Sequence, residues 1–185
     1  MDNQNVSPQL NSLLGIEFPV IVAPMFLVSN EAMVIEAIKA GATGAIPALN
    51  YRTTDELRNA IQRIRVAVKG PMGINLIVNK SNFYFAEQLK VCCEEKVDFI
   101  ITSLGSPEVT IQEAHKVGTK VFCDVTDVNY ALKVEQLGAD ALVAVNKEAG
   151  GHAGGLLYSG VPDYRLPKEI LDAEIERIVK MGVKI

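Results

Sequence analysis

A recurring turn from helix into strand constrains this chain more than any other feature. Ala40-Gly41-Ala42-Thr43-Gly44-Ala45 and Leu137-Gly138-Ala139-Asp140-Ala141-Leu142 use the same device: a glycine ends a helical stretch and the chain enters an apolar strand at once. Between these points the pattern alternates strand and helix. The first apolar strand is expected over 19–25, followed by the N-capping pair Ser29-Asn30 and a helix ending at Gly41. A strand over 43–48 leads to a helix opened by Thr53, with Glu56 completing a capping box and Leu57, Ala60, Ile61, Ile64 and Val68 on one face.

The alternation continues with a strand over 72–78, a helix carrying Cys92 and Cys93, and a strand over 98–103. Ser106-Pro107-Glu108 starts the next helix, with proline at its first position. A strand over 120–124, a helix over 127–137 and a sixth strand over 139–145 complete the series. Strands apolar on both faces are the mark of a parallel sheet covered by helices. Such units build either a barrel or an open doubly wound sheet. The first strand-to-helix turn is Ala23-Pro24-Met25-Phe26, not a glycine-rich dinucleotide fingerprint, which favours the barrel.

The expected fold is therefore α/β, a (β/α) TIM-barrel type ending after strand six, followed by a C-terminal helix. That helix spans 168–181, with Leu171, Ile175, Ile178 and Val179 on one face; a polar, proline-containing connector over 158–167 precedes it. A barrel places its chemistry in the loops at the C-terminal ends of its strands. There lie Pro24-Met25, Asn75, Ser103-Leu104-Gly105, Asp124 and a glycine-rich segment after the sixth strand.

Composition narrows the partners. A net charge of -4 gives no electrostatic reason to expect nucleic acid or an anionic membrane. No apolar run reaches the roughly 20 residues that span a bilayer, and residues 1–9 lack the basic and apolar regions of a signal peptide, so the cytoplasm is expected. Cys92, Cys93 and Cys123 have no metal-ligand spacing, and with two histidines no metal site is expected.

The segment Ala149-Gly150-Gly151-His152-Ala153-Gly154-Gly155 carries the chemistry the residues suggest. Small residues on both sides let backbone N–H groups approach a ligand, and an imidazole held there can move a proton near neutral pH. A surface loop that happens to contain a histidine is the bland alternative. Other residues have two readings as well. Asn75 could serve a ligand or satisfy backbone groups at a strand end, and Met25 could face a ligand or the core. Asp124 could cap the next helix, Glu148 could act on His152 or lie exposed, and His115 is expected to be solvated.

In order along the chain, Val20-Ile21-Val22-Ala23-Pro24-Met25, Gly73-Ile74-Asn75-Leu76, Ser103-Leu104-Gly105-Ser106-Pro107 and Gly138-Ala139-Asp140-Ala141 precede Glu148-Ala149-Gly150-Gly151-His152. This set resembles the nitronate monooxygenase family, formerly called 2-nitropropane dioxygenases, over about residues 8–157. The resemblance implies an FMN-binding barrel that oxidises alkyl nitronates or nitroalkanes with molecular oxygen, His152 being the catalytic base. It also implies that the backbone at Ala23, Pro24 and Met25 contacts the flavin ring, that Asn75 bonds its polar edge, and that Gly150 and Gly151 allow close approach. Val145-Asn146 stands where many members have Gln-Gly, and Asn146 could partly replace the glutamine contact. The family's phosphate-binding glycines follow strands seven and eight, which the pattern does not show.

The tail has a different likeness. Residues 158–168, Asp172-Ala173-Glu174-Ile175 and Met181-Gly182-Val183-Lys184-Ile185 resemble the linker before the FAD domain of glutamate synthase small-subunit-like oxidoreductases. Two units are thus expected, a partial barrel over 1–157 and a second, truncated unit over 158–185. FAD binding does not follow from the tail. The rivals are a flavin-type enoyl-acyl-carrier-protein reductase and a catalytically silent fragment or interaction module. Open sheet edges would also suit a second copy or a completing chain.

Overall fold

A computed structural model describes residues 9–145. Its helices are α1 (Leu10–Leu14), α2 (Glu31–Lys39), α3 (Thr54–Ala67), α4 (Phe85–Glu94), α5 (Glu108–Lys116) and α6 (Val128–Gln136). Its strands are β1 (Ile21–Val22), β2 (Thr43–Pro47), β3 (Gly73–Ile77), β4 (Phe99–Ser103), β5 (Lys120–Val125) and β6 (Ala141–Ala144). A 3₁₀ turn at Ala48–Asn50 follows β2. The expected boundary after residue 157 and the helix over 168–181 lie outside the described residues.

The strands form one sheet in the order β1-β2-β3-β4-β5-β6, and the pairings from β1 through β5 are parallel. Every crossover therefore leads to the next position in the same direction. A doubly wound sheet reverses its strand order at a switch point; this winding does not, and it is that of a (β/α) barrel. The chain divides into two compact units. The first, described over 9–124 and 128–143, carries the sheet's packing described below; the second is described only at 125–127 and 144–145.

Register sorts the side chains into two faces. Asn75 pairs with Ile101 and Ile101 with Phe122, and alternation along each strand puts every second residue on the same side. Ala45, Phe99, Ile101 and Phe122 form a buried cluster on the inner face, closed by Leu10, Leu13 and Leu14 of α1 together with Ile21, Ala141 and Val143. The Phe99 and Phe122 rings stack with centroids 5.1 Å apart. Gly73 makes room for them, because a Cβ there would lie 2.2 Å from the Phe99 ring. The helices bury the other face with stripes such as Leu57, Ala60, Ile61 and Ile64 of α3.

Local signals account for the element ends. The Thr53 hydroxyl accepts from the Glu56 N–H at 3.2 Å, and the Glu56 carboxylate accepts from the Thr53 N–H at 3.4 Å, the reciprocal capping box. Asn30 caps α2 by accepting from the Met33 N–H. Gly41 and Gly138 adopt left-handed φ of 82° and 94° at the two turns that open β2 and β6.

Some expectations shift. The first strand shortens to Ile21–Val22, flanked by Pro19 and Pro24, neither of which has an N–H for a ladder. Pro107 is the N-cap of α5, not its first helical residue, and Val68 is an extended C-cap beyond the helical face of α3. Burial on both faces holds for β2 to β5, whose positions are almost all buried. Strand β1 is half-buried and β6 alternates, with Leu142 exposed, since each has a neighbour on one side only among the described residues. Helix α1 was not anticipated, although Leu10, Leu13 and Leu14 have the i, i+3, i+4 spacing of one helical face. Among the described residues no helix is long and apolar enough to cross a membrane.

Candidate active site at the strand ends

The inner face changes character toward the C-terminal ends of its strands. On this face β3, β4 and β5 each contribute one polar side chain: Asn75, level with Ile101 in mid-strand, and Ser103 and Asp124 nearer the strand ends. The Asn75 amide nitrogen donates to the Ile101 carbonyl at 3.0 Å and to the Ser103 hydroxyl oxygen at 2.8 Å. Ser103 in turn donates to Asp124 Oδ2 at 2.5 Å. Asn75 is buried, and Ser103 and Asp124 are half-buried. Burial pushes the Asp124 carboxyl above its ordinary range, and the Ser103 hydrogen bond partly opposes that rise. Asp124, allowed by the sequence as a helix cap, thus turns to its neighbouring strand.

Two loops at the same ends have constrained backbones. Leu27, after β1, and Leu104, after β4, both adopt left-handed φ, 58° and 64°. For a residue with a Cβ this costs about 1–2 kcal/mol and must be held by surrounding contacts. Asn50 holds the first loop: it accepts from the Leu27 N–H at 2.8 Å and donates to the Ser29 carbonyl at 2.8 Å. Ser29, itself buried, accepts from the Met25 N–H at 2.9 Å and donates to the Ala23 carbonyl at 2.7 Å. The second loop is held by the Tyr130 hydroxyl of α6, which donates to the Gly105 carbonyl. Gly105 also lies close to β3, since a Cβ there would meet the Val78 carbonyl oxygen at 2.8 Å.

The first loop presents an apolar lip. Met25, Phe26, Leu27 and Val28 are all exposed, Leu27 at 72%. Of the two readings of Met25, the core one therefore fails. Ala23 is exposed and Pro24 half-buried. Ser29 engages the Ala23 carbonyl and the Met25 N–H, and the carbonyls of Pro24, Phe26 and Leu27 have no partner among the described residues.

The structure brings Asn75 together with Ser103 and Asp124. His152, Asn146, Gly150 and Gly151 lie outside the described residues, so their positions relative to that trio are not described. His115 proves to be paired: its Nε2 lies 2.8 Å from Asp140 Oδ2, and that same oxygen accepts from the Val121 N–H at 2.7 Å. This contact ties α5 to the turn before β6 and serves the scaffold. The roles of Ser29 and Asn50 escaped sequence reading; the pairing of Ser29 with Asn30 before a helix indicates only a cap. Among the described residues no group of three or more histidine, cysteine, aspartate or glutamate side chains could hold a metal ion.

Comparison with known proteins places this geometry in a family. The family model described as nitronate monooxygenase matches residues 7–84 and 81–176, a span that includes both Asn75 and the Glu148–His152 run. A nitronate monooxygenase of Paraburkholderia phytofirmans is 28% identical over 191 residues, covering 83% of this chain and 52% of its own length. A (3aS,4S,5R,7aS)-5-hydroxy-7a-methyl-1-oxo-octahydro-1H-indene-4-carboxyl-CoA dehydrogenase of Mycobacterium tuberculosis is 28% identical over 145 residues, covering 78% of this chain and 40% of its own. FabK from Thermotoga maritima superposes with a TM-score of 0.74 at 33% identity, over 82% of this chain and 48% of that one. The chain thus spans about half the length of the relatives it matches. On the strength of a family match across most of its length, the chain belongs to the nitronate monooxygenase family.

Proposed function

We propose that this chain contributes to an FMN-dependent oxidoreductase site that converts alkyl nitronates or nitroalkanes with molecular oxygen. The observation that carries the reading is the Asn75 carboxamide. It sits on the inner face in the middle of β3, its nitrogen committed to Ile101 and Ser103 and its Oδ1 without a partner among the described residues. A free acceptor there suits an N–H on the polar edge of a flavin ring. The Pro24 carbonyl and Met25, with the backbone of Ala23 beside them, offer a second contact beyond the end of β1. Asn146, Gly150 and Gly151 complete the proposed cofactor contacts.

Bound FMN would supply the electron transfer between nitronate and oxygen. The protein's part is to orient the substrate and move one proton. In this reading the His152 imidazole takes the α-proton of a nitroalkane, and the C–H bonding pair stays on the resulting nitronate. The proposed setting is the cytoplasm, with a small-molecule substrate and either a second copy or a completing chain against the sheet edges. The partial barrel over 1–157 and a separate unit over 158–185 belong to the same proposal.

A second reading is a flavin-type enoyl-acyl-carrier-protein reductase, favoured by the likeness to FabK. The two readings differ in electron donor. The first is supported if propyl nitronate is turned over without NADH, whereas reduction of bound flavin by NADH supports the second. Replacing His152 by Ala tests the base directly. Nitroalkane turnover should fall while turnover of the preformed nitronate persists, because the nitronate has already lost its proton. Equal loss on both substrates contradicts the base role.

A further inference from the structure

The hydrogen bonds along the row Asn75, Ser103, Asp124 all run in one direction. Ser103 donates to Asp124 Oδ2 at 2.5 Å and has thereby given away its single proton. Its oxygen can then only accept from Asn75. The Ile101 carbonyl beside it is likewise an acceptor. The carboxamide therefore faces two acceptors on β4 and must turn its NH₂ toward them, which leaves Oδ1 as the end presented to a ligand.

We infer that Asp124 is a positioning residue that acts through Ser103 to fix the Asn75 carboxamide with its oxygen outward, so that the site selects a ligand carrying an N–H donor at that point. The inference rests on the flavin reading for the identity of that ligand, a ring with an imide-type N–H. It does not rest on that reading for the relay itself. Without an acceptor at position 124, the Ser103 proton is free to turn toward Asn75, where it meets the NH₂ group. The amide can then resolve the clash by rotating, which replaces the outward acceptor with a donor. Asp124 and the ligand are not required to touch.

The test uses the full chain and FMN, with the variants Asp124→Ala, Ser103→Ala, their double and Asp124→Asn. Loss of one correctly set hydrogen bond weakens binding by about tenfold. Asp124→Ala and Ser103→Ala should each raise the FMN dissociation constant by about that factor, and the double variant by no more than either single change. Asp124→Asn retains an oxygen that can accept from Ser103, and it should restore affinity to within about threefold of the parent. Independently of flavin, the side-chain NH₂ resonances of Asn75 in a ¹⁵N spectrum, assigned by their loss in Asn75→Asp, should move in both alanine variants and return in Asp124→Asn. Additive losses in the double variant, or an Asp124→Asn that behaves like Asp124→Ala, would overturn the relay and point to a direct charge effect. Unchanged affinity and unmoved resonances in Asp124→Ala would overturn it outright. If the parent chain takes up no FMN, the flavin reading fails, and the resonances alone decide the relay: moved upholds it, unmoved overturns it.

Discussion

The Ser103 hydroxyl donates to Asp124 Oδ2 at 2.5 Å, joining the ends of β4 and β5 on the inner face of the sheet. Burial outweighs this bond and holds the Asp124 carboxyl above its ordinary range. The folded state therefore favours the neutral form relative to the unfolded chain. For a pKa raised on folding, the stabilising contribution is complete below the unfolded value, about 3.9, and is lost as pH rises through the folded value. The Asp124→Asn variant lacks this titration. Its melting temperature relative to the parent should therefore rise as pH climbs from the unfolded value, about 3.9, through the raised folded value. A difference that stays flat across that range, or that falls, contradicts the burial account.

Gly73 lies against the Phe99 ring, 2.2 Å from where a Cβ would sit. Gly73→Ala should therefore displace the Phe99–Phe122 stack and cost about 1–3 kcal/mol of stability. Urea unfolding followed by circular dichroism measures the loss directly. An alanine variant as stable as the parent would mean that the stack yields freely, contrary to the packing described.

Ser29 fastens the apolar lip by bonding both Ala23 and Met25. Ser29→Ala removes both bonds from a buried position and should lower stability by about 1–3 kcal/mol. Amide exchange at Met25 should quicken in the variant while exchange within α3 changes little. If Met25 exchanges equally fast in both proteins, Ser29 does not hold the loop.

Much of the scaffold is legible in the sequence because its signals are local. Thr53 and Glu56 are three residues apart, and their capping box forms as the spacing implies. Gly41 and Gly138 mark the turns at which helix passes to strand. The alternating pattern yields the strands in order, though β1 is shorter than its apolar run because prolines flank it. The strand order itself, which decides between barrel and open sheet, is a property of pairing and becomes visible only in the structure.

The polar row is different in kind. Asn75, Ser103 and Asp124 all read as strand-end residues in the sequence, but Asn75 falls in the middle of β3, and the three are 28 and 21 positions apart along the chain. Only the parallel register aligns them, and nothing in their local sequence says which donates to which. Leu27 and Leu104 carry no sequence sign of left-handed backbone, and the contacts beside them, Asn50 to Leu27 and Tyr130 to Gly105, come from other segments. His115 stays exposed on the surface, as its sequence reads, and the fold adds Asp140 as its partner.

The central claim is that the inner face around Asn75 holds a flavin, and an FMN titration of the full chain tests it most directly. The account predicts a saturable shift of the visible flavin spectrum, and an Asn75→Ala variant whose affinity is about tenfold weaker through loss of one hydrogen bond. An unperturbed spectrum with FMN at tens of micromolar, or an Asn75→Ala chain that binds as tightly as the parent, would contradict it.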